Sequence, residues 1–189
     1  MAIRPDYPLT TERLRLRPFT RGDVDAVHSY RSRPDVARYL FDAPLSREDC
    51  ALAVQQRTTQ LHLDQEGDRI ILAVESQADG VLLGEISLIW RSSEARQGEV
   101  GWIFHPAYQG KGFASEAARR LIHLAFENGE FHRLYARCDA GNVASWRLME
   151  RLGMRREAHF REHAVFKGEW DEEFYYAILL REWQARQAG

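Results

Sequence analysis

Cysteine is scarce in this chain of 189 residues, which carries only Cys50 and Cys138. The two lie far apart and neither belongs to a C-x-x-C pair, so neither a disulfide framework nor a thiolate metal site is expected. Both thiols are predicted to be reduced and mostly buried. Long apolar runs are also missing, and none approaches the roughly 18 residues of a membrane span. The sequence therefore predicts no membrane-spanning segment.

The start of the chain lacks the apolar core of a secretory signal and contains Pro5, Asp6 and Pro8. We therefore expect a cytoplasmic protein. A net charge of −2 gives no general attraction to nucleic acid or to an anionic membrane surface. No internal repeat, low-complexity tract or linker divides the chain. One domain over residues 1–189 is predicted, with roughly the first ten and the last six residues at its periphery.

Lysine is rare as well: against 24 arginines there are two lysines, and Lys111 stands between Gly110 and Gly112. This loop separates a strand-like run, residues 99–104, from a helix-like run, residues 114–128. Glycine allows a positive φ or a close approach of backbone to a ligand. Helix N-termini offer backbone N–H groups and partial positive charge to an anion, and lysine adds a flexible cation. The loop predicts a phosphate or pyrophosphate site, with a plain turn as the alternative.

Two other phosphate motifs do not fit this loop. A dinucleotide fingerprint requires a third glycine where Ser115 stands. A P-loop requires serine or threonine after its lysine, where Gly112 stands. The loop therefore belongs to neither of these motifs.

The spacing of apolar residues changes between helical and extended periods along the chain. We predict seven strands, at residues 13–19, 70–75, 81–90, 98–104, 133–138, 155–166 and 174–180. Four helices are predicted at residues 21–31, 46–65, 114–128 and 143–152, the second of them opened by a capping-box variant of Ser46 and Asp49. The expected fold class is α/β, with one mixed, twisted sheet of six or seven strands flanked by about four helices.

Several short motifs support a family resemblance. They are Q-x-x-G-x-A at residues 109–114, N-x-x-S at residues 142–145, LMERLGM at residues 148–154, an opening TERLRLR at residues 11–17 and a closing KGEWD at residues 167–171. Over roughly residues 9–183 the chain resembles the GNAT N-acetyltransferase superfamily, in particular the branch of ribosomal-protein N-terminal acetyltransferases. The resemblance implies that acetyl-CoA donates its acetyl group directly to a primary amine in a ternary complex, without a metal.

The resemblance also implies a set of cofactor-binding residues. These are Ile103, Phe104, Gln109, Gly110, Lys111, Gly112, Phe113, Ala114 and Asn142. The amides of Gly110, Gly112 and Ala114 would hold the pyrophosphate, and the backbone of Ile103 and Phe104 would pair with the extended pantetheine. The strands at residues 98–104 and 133–138 are then expected to separate near Phe104, so that the pantetheine can insert.

Acetyl transfer from a thioester requires a neutral amine, donors for the oxyanion and a proton for the departing thiolate. Glu99 is the first candidate base, since it lies on the strand before the loop, where the superfamily often places a glutamate. Glu85 is the second, and a structural carboxylate is the alternative for both. Asn142 suits a helix N-cap. In the resembling branch Ser145 lies near the sulfur as a candidate acid, and both roles can hold together.

His159 and His163 match H-x-x-E-H, a zinc-protease motif that requires a helix. The surrounding residues instead predict a strand, on which the two histidines would lie about 13 Å apart. We therefore predict no metal site.

The alternative function is a catalytically silent acyl-CoA sensor or interaction module on the same fold. No motif identifies the acceptor amine, which is a small molecule or a protein N-terminus. A homodimer is expected, because the edge strand at residues 155–166 carries apolar side chains such as Val165 and Phe166.

Overall fold

The computed structural model describes residues 2–40, 42–127 and 131–187, which form one eight-stranded mixed sheet and its helices. The strands are β1 (Leu9–Thr10), β2 (Leu14–Arg17), β3 (Arg69–Ser76), β4 (Leu82–Ser92), β5 (Gln97–Phe104), β6 (Arg133–Asp139), β7 (Arg155–Phe166) and β8 (Glu169–Leu179). The helices are α1 (Val24–Arg31), α2 (Pro34–Ala37), α3 (Arg47–Arg57), α4 (Phe113–Glu127), α5 (Val143–Arg151) and α6 (Leu180–Gln187). The α/β class and the single mixed sheet are confirmed.

The sheet has the strand order β1-β2-β3-β4-β5-β6-β8-β7. Every neighbouring pair is antiparallel except β5 and β6, which are parallel. Parallel neighbours need a crossover connection, and α4 provides it between β5 and β6. The N-terminus of α4 therefore lies just beyond the end of β5, where a glycine loop must turn the chain.

Successive residues of β3 point to opposite faces of the sheet, so the two faces pack against different helices. Ile70, Leu72 and Val74 belong to the larger core, which includes the buried residues of α4 and α5. Ile71 and Ala73 belong to a smaller core with α1 and α3. The smaller core borders the part of the sheet where the candidate site opens.

The second predicted helix begins as expected and ends early. Ser46 and Asp49 form the capping box at the start of α3, which confirms that prediction. The helix stops at Arg57, not near residue 65. Leu63 exchanges backbone hydrogen bonds with Ile3 at 2.9 and 3.0 Å, and Asp68 accepts the backbone N–H groups of residues 64 and 65. These partners hold the segment in an extended turn.

Three elements were not predicted. The two-residue strand β1 raises the strand count to eight, and α2 and α6 raise the helix count to six. Ile3 and Leu9 are buried, whereas the other described residues before Thr11 are exposed or half-buried. The predicted end of the third helix at Asn128 lies outside the described residues.

Within the described ranges, no helix has both the length and the apolar character that crossing a membrane requires.

Candidate active site

The candidate site lies where β5 and β6 separate. Their parallel ladder contains only the pairs Gln97–Arg133, Gly98–Leu134 and Glu99–Tyr135. Beyond Glu99 the strands diverge, each keeping only its outer partner, β4 or β8. The expected separation is therefore confirmed, although it begins at Glu99, five residues before Phe104. A cavity of about 760 Å³ borders the diverging part of β5.

Most of the predicted cofactor residues line this cavity. They are Ile103, Phe104, Gln109, Gly110, Gly112, Phe113, Ala114 and Asn142. Lys111 is not among the described residues that line it, and its ammonium nitrogen lies 5.7 Å from the centre of the Tyr108 ring. The sequence motif therefore places the loop at the cavity, and the lysine side chain lies against Tyr108, which lines the same cavity.

The glycine loop has the backbone that the residues suggested. Gly110 and Gly112 have φ angles of 73° and 85°, a region that disfavours side chains other than hydrogen. Helix α4 begins directly afterwards at Phe113, and the first backbone N–H groups of a helix have no partner within it. Ala114 and Ser115 belong to this first turn and line the cavity. The loop and the first turn can therefore present N–H donors to an anion.

The end of β5 is held at a fixed distance from its neighbour. A Cβ atom on Gly84 would lie 2.3 Å from the carbonyl oxygen of Ile103, so only glycine allows this approach of β4 to β5. The side chain of Gln109 donates a hydrogen bond of 3.0 Å to the carbonyl of Phe104. These contacts fix the strand end from which the loop departs.

Two arginines on α5 also line the cavity and were missed from the sequence. Arg147 and Arg151 are exposed and lie four residues apart, so they share one face of the helix. Their charge faces the same space as the glycine loop. The sequence signal that could have identified them is their four-residue spacing on the helix that Asn142 begins.

Ser145 occupies the junction between this cavity and a smaller one of about 220 Å³, because it lines both. Its backbone N–H donates to the side-chain oxygen of Asn142 at 3.2 Å, which confirms the capping role of Asn142. Trp102 donates its indole N–H to the Ser145 hydroxyl oxygen at 3.2 Å. Burial raises the pKa of the neighbouring Cys138 thiol to about 12, against a smaller opposing effect of its hydrogen bond with Ser145.

Glu99 is held by ion pairs. Its carboxylate lies 2.6 Å from Arg91 and 3.2 Å from Arg137, and it accepts a hydrogen bond of 3.0 Å from the Tyr135 hydroxyl. Burial and the charge of Glu99 raise the pKa of Tyr135 to about 12, so the phenol stays protonated. Glu99 is not among the described residues that line either cavity, whereas its partner Arg137 lines the smaller one.

Glu85 does line the smaller cavity, yet it too is fully engaged. Arg57 contacts both of its carboxylate oxygens, at 2.8 and 2.9 Å, and Arg31 lies 3.5 Å away. The buried Tyr30 hydroxyl donates to it at 2.8 Å. Both candidate bases therefore carry charges that arginines already compensate.

The H-x-x-E-H residues lie in β7, so they form a strand and not the helix that the zinc motif requires. His159 contacts Glu172 at 2.8 Å, whereas His163 lies 3.9 Å from Asp171 and 3.6 Å from Glu173. The ligand atoms of His163, Asp171 and Glu173 lie within 4.8 Å of one another, an arrangement that could hold a metal ion. Glu173 also pairs with Arg137 at 3.2 Å, a positive charge that opposes a cation there.

Sequence relatives of this chain are named as N-acetyltransferases. The chain is 35% identical over 175 residues to the N-acetyltransferase YnaD of Bacillus subtilis, which covers 93% of this chain and 98% of the relative. It is 34% identical to the putative ribosomal N-acetyltransferase YdaF of the same species, over 58% of this chain and 60% of the relative.

Solved structures of acetyltransferases are similar to this chain. A GNAT acetyltransferase from Bacillus anthracis superimposes with a TM-score of 0.82 at 34% identity, covering 92% of this chain and 99% of its own. Spermidine N-acetyltransferase from Vibrio cholerae, solved with CoA and spermine, superimposes with a TM-score of 0.77 at 24% identity, covering 92% and 99%. Residues 13–155 match the family described as acetyltransferase (GNAT) domain, and the chain belongs to this family of acetyltransferases.

Proposed function

We propose that this protein is an acetyl-CoA-dependent N-acetyltransferase that transfers the acetyl group directly to a primary amine. The observation that carries the proposal is the continuity of the space beside β5. The larger cavity runs from the glycine loop to Ser145, and the smaller one continues from Ser145 past Glu85 and Arg137. Cofactor and acceptor can therefore occupy adjoining spaces that meet near Ser145.

In this proposal the pyrophosphate binds the N–H groups of Gly110, Gly112 and Ala114, and the pantetheine extends along Ile103 and Phe104. Arg147 and Arg151 offer charge for a further phosphate group of the cofactor, since arginine forms strong hydrogen bonds to phosphate. The structure of the Vibrio cholerae relative with CoA supports this choice of cofactor.

In the proposed reaction, side chains of the protein and solvent donate and accept every proton that moves. The neutral amine attacks the thioester carbon, the tetrahedral intermediate collapses, and the carbon–sulfur bond breaks. Ser145 donates its hydroxyl proton to the departing thiolate and recovers one from solvent. Glu99 is the first candidate to receive the amine proton. Because its carboxylate lies outside the cavities, the proton would reach it through a water molecule beside Arg137. An α-amino group has a pKa near 8, so a modest base suffices.

The acceptor is a small-molecule amine or a protein N-terminus. Spermine in the Vibrio cholerae complex supports a polyamine as one candidate. An assay of CoA release from acetyl-CoA with peptides, polyamines and aminoglycosides decides among these classes. Release that no amine accelerates would contradict the proposed activity.

Calorimetric titration with acetyl-CoA tests the cofactor site separately. Gly112→Asp adds bulk and negative charge to the loop and is expected to weaken binding at least about tenfold. Asp in place of Gly80, a glycine with a similar φ of 70° in the turn between β3 and β4, is the control and should bind acetyl-CoA as the wild type does.

The arginine pairing of Glu85 and Glu99 favours one second candidate, a catalytically silent acyl-CoA sensor. Such a protein would bind acetyl-CoA with the same dependence on Gly112 but show no amine-dependent release of CoA.

We also propose a homodimer. The edge strand β7 pairs only with β8 among the described strands, and the hairpin exposes Phe160, Val165 and Trp170. A two-fold contact would cover these side chains with a second copy of the same patch. Light scattering at micromolar concentration should give the mass of two chains, and the mass of one would contradict the proposal.

A further inference from the structure

The opening motif Thr11–Arg17 contributes no residue to either cavity, yet its first half reaches the glycine loop. Thr11 and Arg13 directly precede β2, about a hundred positions before the loop in sequence. Their contacts converge on Glu116, in the first turn of α4. This convergence gives the motif a role beyond forming a strand.

Glu116 accepts hydrogen bonds from three groups of this segment. The Thr11 hydroxyl donates at 2.5 Å and the Arg13 backbone N–H at 2.9 Å, both to one carboxylate oxygen. The Arg13 guanidinium binds the other oxygen with two nitrogens, each at 2.7 Å. The side chain of Glu116 is only 18% exposed, so these bonds are partly shielded from water.

The same guanidinium also contacts the loop itself. It donates a hydrogen bond of 3.1 Å to the carbonyl of Lys111 and lies 4.6 Å from the centre of the Phe113 ring. A Cβ atom on Gly112 would lie 3.3 Å from its terminal nitrogen. Arg13 therefore touches the loop before, at and after Gly112.

We propose that Arg13, supported by Thr11 and Glu116, is a positioning residue that holds the glycine loop in the conformation that binds the cofactor. The inference rests on the proposed cofactor site. Fixing the Lys111 carbonyl sets the plane of the Lys111–Gly112 peptide, and therefore the direction of the Gly112 N–H. Glu116 compensates the charge of Arg13, so the contribution is geometric and not an attraction between Arg13 and the phosphates.

Arg15 offers a matched control two residues further along the strand. Its side chain is 45% exposed, as is that of Arg13, and it forms an ion pair of 2.8 Å with Glu75. It has no contact with the glycine loop among those described. Arg13→Met and Arg15→Met therefore each remove one guanidinium of equal exposure from the same segment.

Calorimetric titration of both variants and the wild type with CoA tests the inference, followed by kinetics at saturating acetyl-CoA. We expect Arg13→Met to weaken CoA binding about tenfold or more, as for the loss of charge-assisted hydrogen bonds. The kcat and the KM for the acceptor should stay within about twofold, and Arg15→Met should bind CoA as the wild type does. The loss in Arg13→Met should persist at high salt, because screening does not affect a geometric role.

Equal CoA affinity of the two variants would overturn the inference, as would a loss that disappears at high salt. If Arg13→Met does not fold, Thr11→Val provides the test, because it removes one hydrogen bond to Glu116 with little change in volume. It should weaken CoA binding about threefold, and unchanged binding would overturn the inference. A wild type that fails to bind CoA would instead contradict the proposed function.

Discussion

At the scale of single residues, the hydrogen bonds of Ser145 determine where its proton can go. Trp102 donates to the hydroxyl oxygen, so the hydroxyl keeps its own hydrogen to donate, either to the Cys138 sulfur or to a departing group. Ser145 is one of the residues that line both cavities. Cys138, its other neighbour, has a pKa raised to about 12 by burial and stays a thiol at neutral pH. Ser145 is therefore the better placed of the two to protonate a departing thiolate.

Ser145→Ala should lower kcat about 100-fold, as expected for the loss of a general acid. The KM for acetyl-CoA should change little, because the loop that binds the cofactor is untouched. Steady-state kinetics measures both. Cys138→Ala is the comparison and should keep kcat within about threefold of the wild type, since the proposed reaction takes no proton from Cys138. If the two variants lose activity equally, Ser145 acts only through packing.

The contacts of Glu116 predict how the stability of the fold depends on pH. Burial opposes its charge, but hydrogen bonds from Thr11 and Arg13 outweigh that effect and hold the pKa of Glu116 below its ordinary value. The ionised carboxylate therefore stabilises the fold above the pKa of the unfolded chain, about 4.3, and this stability is lost as the pH falls through the folded pKa.

Glu116→Gln should reduce the free energy of unfolding by about 1–3 kcal/mol at pH 7. The difference from the wild type should shrink as the pH falls below about 4, because the wild-type carboxylate is then protonated too. Urea unfolding at both pH values measures it. A difference that is the same at both would mean that the ionisation of Glu116 contributes nothing.

At the scale of elements, the β7–β8 hairpin reaches over to the loop that follows α2. Its tip is the turn Lys167–Gly168, where both residues have positive φ angles of 52° and 83°. Lys167 donates to the carbonyls of Ala37 and Leu40 at 2.6 and 3.1 Å. Tyr39 and Leu40 line both cavities, so the hairpin fixes part of the cavity wall from outside.

Lys167→Met should raise the KM for the acceptor about three- to tenfold, because it releases two carbonyls bound by a charged donor. The KM for acetyl-CoA should change less, because the glycine loop is untouched. Lys111→Met, which alters the only other lysine, should show the opposite pattern if Lys111 assists cofactor binding. Initial rates with each substrate varied in turn distinguish them. Identical patterns in both variants would contradict this expected effect of Lys167 on acceptor binding.

At the scale of the whole molecule, local patterns predicted the sheet and the main helices, and contacts distant in sequence were not predictable. The long amphipathic helix α4 and the capped helix α5 follow from spacing and caps. The four-residue helix α2 was missed because it is too short for a periodic pattern, and α6 because it continues an apolar strand without a break.

In the candidate active site too, local motifs were predictable and contacts distant in sequence were not. Gln109–Ala114 and Asn142–Ser145 are short motifs, and the structure brings both to one cavity. The ion pairs Arg57–Glu85 and Arg137–Glu99 join residues 28 and 38 positions apart, and the bond between Arg13 and Glu116 spans 103 positions. No periodicity or motif relates such residues, because only the folded topology makes them neighbours.

The short ladder between β5 and β6 has a mechanical consequence. Among the described strands, three residue pairs join strands β1–β5 to strands β6–β8. The two parts of the sheet are therefore connected by backbone hydrogen bonds over a short length only. An extended ligand arm inserted beyond this short ladder would form hydrogen bonds with backbone groups that have no partner strand there. It would therefore stiffen the whole sheet against bending. Hydrogen exchange should then slow most at residues 101–104 and 136–139 when CoA binds, and uniform slowing would count against this picture.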